Sequence, residues 1–148
     1  IFPDLSVEEN FQITAWLTAS RSTARRDFDD RVFTVFPEVK GFMTRRGVHL
    51  SGGQKKMVAI TRAMWLGPSV LLLDEPFEGL APVVVTRFIE AVRTIKSMGI
   101  PVLIAESNLI NATRVTDRLY AIDRGEIIFQ GNSRDVFANE DVMRTIRG

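Results

Sequence analysis

Val70-Leu71-Leu72-Leu73-Asp74-Glu75-Pro76 decides how this chain folds. Four apolar residues in a row are too few for a helix and show no alternation, which is the pattern of a strand buried on both faces. Two adjacent carboxylates and a proline then end the run. Val102 to Ala105 repeats the apolar pattern. Between the two runs, Val83 to Ser97 carries Phe88, Ala91, Val92 and Ile95 at helical spacing, and Gly99 closes that helix. Strand, helix, strand over this length predicts a βαβ unit, with parallel strands and a right-handed crossover.

Working outward, the N-terminal side reads as helical. Residues 3–19 form a helix entry and a helix, with Asp4 or Ser6 as cap, Glu8 and Glu9 at the positive end, and Phe11, Ala15 and Leu17 as a rough apolar face. Residues 20–31 read as a turn and the start of a second helix, which Pro37 stops. Residues 38–49 read as a loop or short helix. Ser51 caps a further helix with Met57, Ile60, Thr61 and Met64 on one face, closed by Gly67-Pro68. On the C-terminal side, residues 108–116 form a shorter helix. Arg118 to Ile122 and Glu126 to Gln130 make a hairpin around Asp123-Arg124-Gly125, and Ser133 and Asn139 cap two short helices.

Composition narrows the function classes. The 148 residues suit one domain, and 19 basic against 18 acidic side chains point to neither nucleic acid nor an acidic partner. Arg25-Arg26, Arg45-Arg46 and Lys55-Lys56 read as isolated solvated pairs. The absence of cysteine removes disulfides, thiolate metal sites and thiol nucleophiles, and no apolar run approaches the ~20 residues of a membrane span. The chain begins with Ile1 rather than Met, which reads as a fragment. His49, the single histidine, reads as a surface residue, and Trp16 and Trp65 as packing residues.

The chemistry concentrates in two places. A carboxylate at the carboxyl end of a buried parallel strand sits where α/β folds bind ligands. There Asp74 suits magnesium, directly or through water, and Glu75 suits orienting an attacking water. An Asp-Glu pair alone is as readily a pair of solvated acids. Leu50-Ser51-Gly52-Gly53-Gln54 offers a hydroxyl, two glycines that admit an anion to the backbone, and the N–H groups of a helix start. A serine-glycine turn alone is as readily an ordinary capped helix. The two occur together, Asp74 lying 23 residues after Ser51.

Leu50 to Gln54 followed by Val70 to Pro76 resembles the ATP-binding subunits of ABC transporters, as their signature loop and Walker B strand. The opening Ile1 to Asn10 resembles the stretch after that family's glutamine loop, Arg62-Ala63 its signature helix, and Asp117 to Gly131 its closing hairpin. Glu78 to Pro82 and Glu106-Ser107-Asn108 resemble the branched-chain amino-acid importers, specifically their LivF-like second ATPase subunit. The resemblance implies a partial P-loop NTPase fold, α/β, with residues 1–66 as a helical subdomain including the signature helix. Residues 67–148 would be the C-terminal part of the ATPase core, a parallel βαβ segment with a C-terminal β-hairpin and short helices.

It further implies ATP and Mg2+ as cofactors, Asp74 at the magnesium site, Glu75 as catalytic carboxylate, and Ser51, Gly52, Gly53 and Gln54 on the γ-phosphate of a nucleotide held mainly by a second ATP-binding subunit. That second subunit would be a copy of the chain or a relative, docked head to tail. Transmembrane permease subunits would be the other partners, placing the chain on the cytoplasmic face of the cell membrane as part of an importer for branched-chain amino acids or related small solutes.

Three departures qualify this. The phosphate cradle G-x-x-x-x-G-K-[ST] is nowhere in the 148 residues, so the chain alone is expected to bind ATP weakly and not to hydrolyse it. The switch position falls on Ser107, which can touch nucleotide but carries no cation. Ala81 stands at the position of the D-loop aspartate. The rival readings are an inactive interaction module that docks on a complete subunit, and a soluble ABC ATPase outside transport, against which the short chain without heptads argues. A fragment cut this way would leave strand edges and an apolar face uncovered, favouring a homo-oligomer.

Overall fold

The computed structural model describes residues 1–18 and 28–147. The expected turn at 20–31 therefore falls largely, and the Arg25-Arg26 pair wholly, outside the described residues. The chain forms two compact units, Ile1–Ile104 and Ala105–Gly148.

In the first unit, helices α1 (Val7–Thr18), α2 (Phe28–Val35) and α3 (Gly52–Trp65) precede strand β1 (Leu71–Asp74), helix α4 (Pro82–Ser97) and strand β2 (Val102–Ala105). Ser6 caps α1 in a reciprocal box: the Glu9 N–H donates to Ser6 Oγ at 3.1 Å, and the Ser6 N–H donates to Glu9 Oε2 at 2.7 Å. Those bonds from Ser6, backbone first, hold the Glu9 carboxyl below its ordinary range. Asn10 is fully buried and fixes the chain entry, its side chain accepting from the Phe2 N–H and donating to the carbonyls of Phe2 and Ser6. The same entry strand runs against residues 45–48, where Gly47 N–H donates to Leu5 O at 2.9 Å. Only glycine fits at 47, because a Cβ there would lie 2.8 Å from Phe2 O.

The core of this unit is aromatic and aliphatic. Phe11, Phe33 and Trp65 form one ring cluster with centroids 5.4 to 6.1 Å apart, and Phe36 meets Phe88 at 4.9 Å. The second contact ties α4 to the helical segment, and Arg87 reinforces it. Its guanidinium forks onto both oxygens of Glu38, donates to the Val35 carbonyl, and lies 5.0 Å from the Phe36 ring centroid. That fork holds the Glu38 carboxyl below its ordinary range. Trp65 packs as expected. Trp16 does not: it is 76% exposed, a correction to the packing role read from its size.

Strands β1 and β2 pair in parallel, as the βαβ pattern predicts. Their burial differs from the expectation of two covered faces. Leu71 is buried, while Leu72 and Leu103 are 68% and 65% exposed. The side chains alternate in and out along the pleat, so one face of this sheet is covered and the other open.

The second unit holds α5 (Leu109–Val115), strands β3 (Arg118–Asp123) and β4 (Glu126–Asn132), a 3-10 turn at Ser133–Ala138, and α6 (Glu140–Arg147). The strands form an antiparallel hairpin with a bulge beside Ala121 and Ile122. Its core is Ala112, Leu119, Val136 and Val142, flanked by Leu109 and Phe129. Asn139 caps α6 as expected, its Oδ1 accepting from the Val142 N–H at 3.0 Å. Ser133 does not cap. Asn132 takes that role, and the buried Ser133 hydroxyl donates to the Thr116 carbonyl at 2.6 Å.

Candidate nucleotide-hydrolysis site

Helix α3 begins where the sequence places it, and its start has a definite geometry. Ser51 is extended at φ −64° and ψ 163° and accepts from the Gln54 N–H at 3.2 Å. The Gln54 side chain returns to accept from the Ser51 N–H at 3.0 Å. The Ser51 hydroxyl accepts in this box and keeps its own hydrogen to donate outward. Ser51 and Gly52 are exposed, and a Cβ added at Gly52 meets nothing within 4 Å. Gly53 faces inward, where a Cβ would lie 3.4 Å from Val84 Cγ1 and 3.5 Å from Leu80 Cδ2. The two glycines therefore differ: Gly52 leaves the outer face bare, whereas a Cβ at Gly53 would make ordinary contact with Leu80 and Val84.

The loop that follows β1 begins at Asp74 and Glu75. Asp74 is exposed at the last position of β1. Glu75 has φ 44°, in the left-handed region that costs a side-chain-bearing residue about 1–2 kcal/mol. Two tight turns follow. The Glu78 N–H donates to Glu75 O and the Leu80 N–H to Phe77 O, both at 3.3 Å, with Gly79 at φ 69° and the Phe77 ring buried beneath. The residue that sequence reasoning missed is Lys56. Its ammonium donates to the carbonyls of Glu75 and Glu78 at 2.8 Å each and of Pro76 at 3.4 Å. The Lys55-Lys56 pair reads as a solvated face in the sequence, and at Lys56 that reading is corrected. Its signal was absent because all three acceptors are backbone carbonyls, which leave no mark on residue identity.

Beside Asp74 lies a shallow apolar recess of about 220 Å³, walled by Ala59 and Ala63 of α3 and by Leu72 of β1. Among the described residues no three His, Cys, Asp or Glu side chains gather as a metal cage. Asp74 offers one exposed carboxylate, a hard oxygen donor of the kind magnesium takes alongside water and phosphate. Ser107 is exposed between β2 and α5 in the second unit, and His49 is exposed ahead of the signature loop. Among the described residues no helix is long and apolar enough to cross a membrane.

The family described as ABC transporter matches residues 1–78, and these carry both the Ser51 loop and the Asp74-Glu75 turn. The chain belongs to the ABC transporter family. Its relatives include the high-affinity branched-chain amino acid transport ATP-binding protein BraG of Pseudomonas aeruginosa. It is 32% identical over 151 residues, covering all of this chain and 63% of BraG. The probable branched-chain amino acid transport ATP-binding protein LivF of Archaeoglobus fulgidus is 28% identical over 149 residues, with 62% of it covered. The ADP conformation of MJ1267, an ATP-binding cassette of an ABC transporter, superposes over 99% of the chain at TM-score 0.79 and 26% identity. That alignment covers 64% of MJ1267, and the chain spans between about half and somewhat under two thirds of the length of the proteins it resembles. The α/β ABC ATPase fold read from the sequence is the fold observed.

Proposed function

We propose that this chain serves in an ATP-hydrolysing subunit of an ABC importer for branched-chain amino acids or related small solutes. The observation that carries the reading is the arrangement in the first unit. The bare Ser51-Gly52 face and the Glu75–Glu78 turn belong to one packed piece, joined through Lys56 of α3.

In this reading the Ser51 hydroxyl and the N–H groups of Gly52 and Gly53 face outward to the γ-phosphate of a nucleotide held mainly by a second ATP-binding subunit, with Gln54 keeping Ser51 in place. The positive end of α3 favours that anion. Asp74 would hold magnesium, and Glu75 would accept a proton from, or orient, the water that attacks the subunit's own nucleotide. Magnesium, when bound, neutralises charge that builds on the phosphate oxygens. Residues 1–66 act as the helical subdomain and 67–148 as part of the ATPase core. The partners are that second subunit and transmembrane permease subunits, at the cytoplasmic face of the membrane. These 148 residues hold no G-x-x-x-x-G-K-[ST], so they bind ATP weakly by themselves and do not turn it over.

The test is Ser51→Arg in the natural subunit assembled with its partners. Magnesium-ATP turnover by the assembly should be lost while this subunit's own site binds nucleotide as before. Full turnover with arginine on the bare face would refute the reading. Solute choice is tested separately, by whether leucine or a short amide on the permease side stimulates turnover.

A further inference from the structure

We infer that Lys56 is a positioning residue: it holds the Glu75–Glu78 turn and so sets where the Glu75 carboxylate sits. The inference rests on the role proposed above for Glu75. Carbonyl oxygens of Glu75, Pro76 and Glu78 converge on one point, at 2.8, 3.4 and 2.8 Å from Lys56 Nζ. Three carbonyl dipoles aimed at one point repel one another unless a cation sits there, and an ammonium has three N–H donors to give. Glu75 is also held at φ 44°, a conformation its side chain disfavours. The backbone bonds across the turn are long, at 3.3 Å, and the Lys56 bonds to Glu75 and Glu78 are shorter, at 2.8 Å each.

Lys56 stands on α3 five residues after Ser51, on the helix whose first turn is the bare signature face. One helix therefore carries both the surface offered to the partner's nucleotide and the clamp on this subunit's own carboxylate.

The experiment uses the natural subunit assembled with its partners, with variants Lys56→Met, which keeps the length and loses the donors, and Lys56→Arg, which keeps the cation. Amide hydrogen exchange at Glu78 and Leu80 is read beside kcat and KM for magnesium-ATP. In Lys56→Met, exchange at those amides should rise about tenfold or more while the amides of α3 keep their protection. Its kcat should fall about 10- to 100-fold with KM nearly unchanged, since misplacing a reacting group acts on the chemical step. Lys56→Arg should recover most of kcat. Lys56→Leu, which also lacks donors and is read the same way, replaces a Met variant that does not fold.

Unchanged exchange overturns the proposal. So does raised exchange with unchanged kcat in a protein that Glu75→Gln silences. If Glu75→Gln leaves turnover intact, the role of Glu75 itself is wrong, and that result is visible without any Lys56 variant.

Discussion

Among the described residues, two turns place a side-chain-bearing residue at positive φ, at Glu75 and at Arg124, and they are supported in opposite ways. Arg124 at 47° sits in the hairpin turn between β3 and β4, followed by Gly125 at 86° and flanked by the paired Asp123 and Glu126. Everything that turn needs is local: a two-residue loop of mirror-image type, a glycine in its second position, and strand pairing on either side. Glu75 at 44° has the same backbone conformation without that help. A proline follows it, the strand ends before it, and its support arrives from Lys56, 19 residues back in the chain. Strain held by neighbours in sequence is an ordinary turn. Strain held from elsewhere in the fold is where a functional residue is to be sought.

The comparison breaks most violently at Phe77. Its ring is 3% exposed beneath the Glu75 turn, whereas Arg124 and Gly125 are both exposed. Phe77→Ala should destabilise the chain by about 3–5 kcal/mol in denaturant unfolding, as buried phenylalanine truncations do. A loss under ~1 kcal/mol would mean that the turn is not anchored from within. Arg124→Gly sharpens the contrast with a smaller effect of opposite sign. Relieving positive φ in a self-sufficient turn should stabilise by about 0.5–1 kcal/mol with no change in nucleotide handling.

The Glu38–Arg87 pair, outside both turns, supplies the smallest effect. The Arg87 fork depresses the folded pKa of Glu38 below its unfolded value. Its contribution is therefore full above the ordinary carboxylate range and fades as pH falls through the folded value. With the carboxylate more than a third exposed, solvent screening keeps that contribution within about 1 kcal/mol. Glu38→Gln should flatten the acid limb of the stability–pH curve by that amount and leave neutral and alkaline limbs parallel. An unchanged acid limb would show that the pair is not held in solution.

The same local-versus-distant contrast explains what the sequence made legible. The hairpin, the Ser51 cap and the α4 stripe of Phe88, Ala91, Val92 and Ile95 all stand as read, because a turn dipeptide, a cap and a helical period are written in adjacent residues. The covered face of β1 and β2 was not readable. Four consecutive apolar residues carry no period, so nothing in Val70 to Leu73 said that Leu72 would face out. Trp16 misled through its size, and Ser133 because Asn132 beside it is an equally good cap and took the position. Lys56 could not be found at all from residue types, since its partners are carbonyls common to every residue. The elements that carry the candidate groups, the Ser51 helix start and the strand ending at Asp74, were thus legible, and what holds the turn after them was not.

The central claim is that Glu75 is held in its strained turn for catalysis, and magnesium-ATP turnover by the natural subunit carrying Glu75→Gln tests it most directly. Turnover should fall by about 10²- to 10⁴-fold, the range expected for losing a positioned general base. ATP binding, measured on the same preparation, should stay unchanged. Turnover at the parent rate would contradict the account and leave Glu75 a strained residue without a task.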